Sequence, residues 1–223
     1  MPGAAPPAPT AAERSRARTI LARLKKRYPQ AATALRYADP WQVLVATVLS
    51  AQTPDANVNR VTPILFSRWP SPEDLAAANP EEVEAVVYPT GYYHQKTRAI
   101  VALSADVAER FGGDVPADLE AMTTLHGVGR KTASVVLAEA FNVPAIAVDT
   151  HVWRLARRLG LSASSDPARV EADLRALFAK KEWAGISMRL IDFGREVCTA
   201  RRPRCPVCPL RDRCPYPHKT PAG

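Results

Sequence analysis

Apolar residues along this chain recur at helical spacing and almost nowhere alternate one by one, a pattern that predicts helix after helix and no strand pair. Trp41, Val43, Leu44, Ala46, Val48 and Leu49 make one stretch apolar nearly all round, which places that helix at the centre of a bundle. Further helices are expected over 12–27, 57–69, 96–111, 131–141, 151–159, 169–180 and 186–196. Four starts are marked locally. Asp39-Pro40, Ser71-Pro72, Asn79-Pro80 and Asp166-Pro167 each set a capping side chain before a proline, whose missing N–H costs nothing at the first helical position. The fold class is therefore all-α, with no internal repeat.

Composition fits an ordinary globular chain of one to two domains: 223 residues, 47% hydrophobic and 23% charged. The longest uncharged stretch, 40–54, is too short and too interrupted by polar residues to span a membrane. Residues 1–14, Pro/Ala-rich at their start, are expected to form a disordered tail, and they lack the apolar core of a secretory signal. No disulfide-like cysteine pattern appears, so a reducing cytoplasm is the expected compartment. Charge sharpens this. The net charge is +8, and residues 198–223 hold six Arg/Lys against one Asp, an asymmetry that suits a polyanion such as nucleic acid.

All four cysteines crowd into one run, Cys198, Cys205, Cys208 and Cys214, spaced C-x6-C-x2-C-x5-C. Disulfides or casual use would scatter them, whereas a compact set of thiols reads as a metal or iron–sulfur centre. Structural zinc usually takes two close cysteine pairs, and only Cys205 and Cys208 make one here, so the spacing mildly favours a cubane. Prolines 203, 206, 209, 215 and 217 exclude regular helix and leave a stiff wrapping loop. Arg201, Arg202, Arg204, Arg211 and Arg213 would offset the negative charge of a thiolate-ligated cluster.

Between two expected helices lies Leu125-His126-Gly127-Val128-Gly129-Arg130-Lys131. Two glycines around one apolar residue predict a tight turn with backbone N–H groups turned outward, where a phosphate would fit. Val128 would plug the turn into the core, while Gly127 and Gly129 would admit a nucleic-acid backbone. An ordinary corner between helices explains the same pattern, since short G-x-G sequences are common.

Gly127 to Ala133, read as Gly-Val-Gly-Arg-Lys-Thr-Ala, is followed by Ile146-Ala147-Val148-Asp149-Thr150-His151 and preceded by Leu49-Ser50-Ala51-Gln52-Thr53. Together with the cysteine spacing, and in this order over about 15–215, these motifs resemble the endonuclease III family of bifunctional DNA glycosylases. The resemblance implies a two-lobed helix-hairpin-helix glycosylase fold. Residues 33–143 would form a six-helix barrel, and residues 15–32 with 144–223 a domain holding a [4Fe-4S] cluster on the four cysteines. Double-stranded DNA carrying an oxidised pyrimidine or an abasic site would lie across the cleft between the lobes of a monomer.

Individual residues can be set against the reaction. Lys131 matches the catalytic lysine, an amine able to attack the sugar C1′ and form a Schiff base; a helix N-terminus and Arg130 beside it would favour the neutral amine. Asp149 matches the catalytic aspartate and also suits a helix N-cap. His151 is expected either to orient the sugar or phosphate or to serve structure alone. Gln52 matches the glutamine inserted into duplex from which a base has been extruded, and Asp55 an acidic residue of the base pocket. By the same resemblance Gly127, Val128, Gly129 and Arg130 would form the DNA-binding hairpin. Two positions depart from the family pattern: Tyr92 stands where a leucine wedge is usual, and His126 where proline is usual.

The implied activity is removal of oxidised pyrimidines followed by strand cleavage through β-elimination. A monofunctional mismatch glycosylase of the same superfamily is the first alternative, opposed by Lys131. A non-catalytic damage-binding protein is the second, opposed by Lys131 and Asp149 together.

Overall fold

The computed structural model describes residues 8–30 and 32–221, and among them every regular element is helical. Helix α1 spans Ala11–Arg27. It takes over part of the expected 1–14 tail because Thr10 and Glu13 close a capping box: the Glu13 N–H donates to Thr10 Oγ1 (3.2 Å) and the Thr10 N–H to the Glu13 carboxylate (2.7 Å). Residues 1–7 of that tail lie outside the described residues.

Two compact units follow, one of residues 33–143 and one of residues 1–32 with 144–223. The first contains α2 (Pro40–Leu49), α3 (Asp55–Arg68), α4 (Pro72–Ala76), α5 (Pro80–Val87), α6 (Tyr93–Phe111), α7 (Leu119–Thr123) and α8 (Arg130–Ala140). Asp39, Ser71 and Asn79 each accept a hydrogen bond from an N–H in the first turn of α2, α4 and α5, with proline next in the chain as expected. Helix α2 is the buried one: Val43, Leu44, Val45, Ala46 and Leu49 are fully enclosed, and α3, α6 and α8 pack around it. Trp41 meets its polar need there by donating from Nε1 to Ser104 Oγ at 3.0 Å. Pro63 lies inside α3 without ending it. One turn earlier the Asn59 side chain holds the preceding segment, donating to the Ala34 carbonyl (2.8 Å) and accepting from the Arg36 N–H (2.9 Å).

The second unit packs α1 with α9 (Thr150–Arg158), α10 (Pro167–Leu177) and α11 (Trp183–Glu196). Ile20, Leu24, Leu155, Leu174, Ile186, Leu190 and Phe193 close its core. Arg189 is buried within it, and its guanidinium donates to the Tyr28 and Pro29 carbonyls just past the end of α1 (3.0 and 3.2 Å). Among the described residues beyond α11, only two three-residue helical turns, Cys205–Val207 and Arg211–Arg213, interrupt irregular chain. No described helix is long and apolar enough to cross a membrane.

Helix α10 ends at Leu177 and α11 begins at Trp183, each three residues earlier than expected. Helix α6 begins at Tyr93, earlier than expected, after Tyr92 takes a left-handed conformation that starts the helix without a side-chain cap. Helix α7 gave no periodic signal at five residues, although Asp118 caps it by accepting from the Ala121 N–H (2.9 Å).

Candidate functional site

Helix α7, the turn after it and α8 make a helical hairpin. Leu125 and Val128 are buried and seat the turn in the core. Gly127 has φ +71°, and a Cβ there would lie 3.1 Å from Ala99 Cβ on α6, so it is held by backbone conformation and close packing. The N–H of Val128 turns inward, to the Leu125 carbonyl (3.2 Å), so not every amide of the turn faces out. Gly129 differs: it is the N-cap of α8, supplies no side-chain cap, and a Cβ built on it would meet nothing within 4 Å. The first amides of α8 therefore face an open approach, where the helix dipole favours an anion. Arg130 opens α8, within 3.8 Å of Glu120, and Lys131 follows it, exposed.

His126 has a defined use where proline would have none. Its N–H donates to Asp106 Oδ2 at 2.8 Å, and its ring Nδ1 lies 2.8 Å from the same oxygen. Burial pushes the Asp106 carboxyl up, but these bonds and the one from Arg110 outweigh it and hold it below the ordinary carboxylate value. The hairpin entrance is thus tied to α6 by a bond that a proline nitrogen cannot make.

Gln52 and Tyr92 are both exposed at loop tips of this unit, and both have left-handed backbone, φ +53° and +51°. Such values are uncommon for non-glycine residues. Tyr92 keeps 62% of its surface exposed. Asp55 is the first residue of α3, half-buried, where its carboxylate complements the helix dipole.

In the other unit Asp149 caps α9. Its Oδ1 accepts from the N–H groups of His151 and Val152, both at 2.8 Å, which leaves Oδ2 outside the cap. His151 lies against Arg154 (Nδ1 to Nη2, 3.1 Å) and Gly194 of α11, where a Cβ would come within 2.7 Å of Nδ1. Burial lowers the His151 pKa, and Arg154 and Arg195 add to that against the opposing pull of Asp149, so the ring is neutral at neutral pH.

The four cysteines line one pocket, together with Leu159, Phe193, Arg158, Arg204, Arg211, Tyr216 and Lys219. None forms a disulfide. Burial raises the Cys208 and Cys214 thiols, and the neighbouring cysteines raise them further. Four thiolates in this pocket therefore require a cationic core, and an iron–sulfur cubane fits the donor set. Of the arginines expected to offset its charge, Arg204 and Arg211 line the pocket, whereas Arg213 turns to Asp212 (3.4 Å). Arg158 was not legible as part of this site. From the last turn of α9 it reaches Cys198 Sγ (3.4 Å) and the Thr199 and Ala200 carbonyls (both 2.8 Å).

Residues 45–180 match the family model described as HhH-GPD superfamily base excision DNA repair protein, and residues 198–214 match that of the iron–sulfur binding domain of endonuclease III. The chain is 46% identical to endonuclease III of Synechocystis over 92% of its length and 94% of the relative's. It is 45% identical to that of Bacillus subtilis over 84% and 86%. A solved structure of a trapped endonuclease III–DNA covalent intermediate superposes with TM-score 0.86 at 42% identity, covering 91% of this chain and 95% of that one.

Proposed function

Since the chain belongs to the endonuclease III family, and so is a base-excision-repair DNA glycosylase and apurinic/apyrimidinic lyase with a [4Fe-4S] cluster, we propose that its lesions are oxidised pyrimidines in duplex DNA and that Lys131 is its nucleophile. The observation that carries the assignment is the uncapped start of α8: amides open to a phosphate, with the exposed Lys131 amine in the same first turn.

Once its ammonium has given a proton to solvent, Lys131 Nζ attacks C1′, and the glycosidic electron pair leaves with the base, which takes up the proton released from Nζ as the new bond forms. Ring opening leaves an iminium between Nζ and C1′. Loss of a C2′ proton then expels the 3′ phosphate by β-elimination, and water releases the amine. Asp149 stabilises positive charge developing at C1′ through the oxygen outside the cap. His151, neutral, orients the sugar. Gln52 and Tyr92 occupy the space of the extruded base, and Asp55 lines the pocket that receives it. Gly127, Val128, Gly129 and Arg130 hold the backbone. Cys198, Cys205, Cys208 and Cys214 carry the cluster, which organises the irregular C-terminal chain. The enzyme acts as a monomer in the cytoplasm.

Borohydride trapping on a duplex with one oxidised pyrimidine tests this reading. A covalent protein–DNA complex is expected; a folded, iron-containing protein that releases the base without trapping would instead be monofunctional. Asp149→Asn keeps an oxygen to accept the two capping bonds, so the melting temperature should stay near wild type while single-turnover base release slows by about 10²–10⁴-fold. Full activity in that variant would confine Asp149 to capping. Lesion-duplex affinity should fall steeply with salt, log K against log[salt] losing roughly 0.9 per neutralised phosphate. A flat response would remove the basic surface from the binding footprint.

A further inference from the structure

Lys96, on the first turn of α6, is 5% exposed. Its ammonium donates to Thr53 Oγ1 (2.6 Å) and to the Thr90 carbonyl (2.7 Å), and the Thr53 hydroxyl closes the triangle by donating to that same carbonyl. No carboxylate partners it among the described residues, and burial lowers its pKa. A buried cation paired only with a hydroxyl and a carbonyl is a costly way to fill space, and leucine or methionine would pack there without desolvation.

What it joins gives the reason. Thr53 directly follows Gln52, and Thr90 stands two residues before Tyr92, separated by Gly91 at φ +67°. Both left-handed tips are thereby anchored to one ammonium, although 40 positions of chain separate them. Thr90 is itself fixed, 3% exposed and donating to the Val87 carbonyl at 2.8 Å. Left-handed backbone at a non-glycine residue persists only where its surroundings over-determine it, and this triangle supplies that constraint to two tips at once.

We propose that Lys96 is a positioning residue that locks the Gln52 and Tyr92 loops into one rigid two-pronged probe for the gap left by the extruded base. The inference rests on the assignment of Gln52 and Tyr92 to that gap. It requires Lys96 to matter where a base must be extruded and to be dispensable where the strand is already open.

Lys96→Met tests it, with single-turnover base release from a thymine glycol duplex measured beside borohydride trapping on a single-stranded abasic oligonucleotide. Duplex release should fall by about 10- to 100-fold while single-strand trapping stays within about twofold. In a Gln52→Ala/Tyr92→Ala background, adding Lys96→Met should cost less than about twofold more, since the prongs it orients are gone. Equal losses on both substrates, or a full additional loss in that background, would overturn the proposal in favour of a merely structural lysine. If Lys96→Met does not fold, Thr53→Val removes the shared hydroxyl and should reproduce the same pattern. Wild-type duplex release by Gln52→Ala/Tyr92→Ala would refute the gap assignment beneath the inference. Impairment of that variant beside an unimpaired Lys96→Met would refute the inference alone.

Discussion

Lys131→Ala should bind lesion duplex nearly as wild type does and fail to cleave it, with strand cleavage and borohydride trapping reduced by at least about 10³-fold. The side chain is exposed in the first turn of α8, so its removal should change stability by no more than about 0.5 kcal/mol. The amides that would grip phosphate belong to the backbone and to the Gly129 N-cap, and truncating the side chain leaves them in place. Binding should therefore lose about one charge's worth of salt dependence and little else. The chemistry has no such reserve, because without the amine no imine forms and the β-elimination that needs it stops. Gel-shift and trapping assays on the same duplex separate the two effects. Retained trapping in Lys131→Ala would place the Schiff base on another amine.

The second large effect is loss of the cluster. Cys205→Ser should yield protein without iron, without the cluster's visible absorbance, and with a melting temperature lowered by more than about 10 °C. Residues 198–221 contain nothing more regular than two three-residue turns, so few of their backbone bonds are cooperative. Apart from the sulfurs, this chain is held by Leu210 in the core, the Arg158 bonds to Thr199 and Ala200, the Arg154 bonds to the Cys198 carbonyl, Arg23 of α1 donating to the Pro209 carbonyl (2.8 Å) and pairing with Asp212, and Thr220 donating to Pro203 (2.6 Å), mostly single bonds to a loop. Three thiols remain in the variant, and burial opposes the ionisation of Cys208 and Cys214 unless a cationic core sits among them. Iron quantitation with thermal unfolding decides the matter. A Cys205→Ser protein that lacks iron yet melts at the wild-type temperature would end the structural account of the cluster.

Much of this protein is written in neighbouring residues. A capping side chain before proline acts within one turn, and so Asp39, Ser71, Asn79 and Asp166 fixed helix starts that the fold retained. The all-round apolarity of α2 implied burial before any partner was known, because no face of that helix could tolerate water. Cysteine spacing implied a metal or iron–sulfur centre, and four motifs in one order carried the family.

What remained depended on residues far apart in the chain, whose meeting no local pattern records. Gly127 owes its place to Ala99 as much as to its backbone, and His126 to Asp106. Arg158 reads as an ordinary basic residue at a helix end until α9 and the C-terminal loop fold together and bring it to Cys198. Lys96 likewise reads as a solvated helix lysine, and only the closure of two distant loops around it turns it into a buried clamp. Helix starts, burial and ligand spacing are short-range consequences of side-chain chemistry. Which polar groups become partners is settled only when packing removes water from between them and each must be satisfied by whatever the fold has brought within reach.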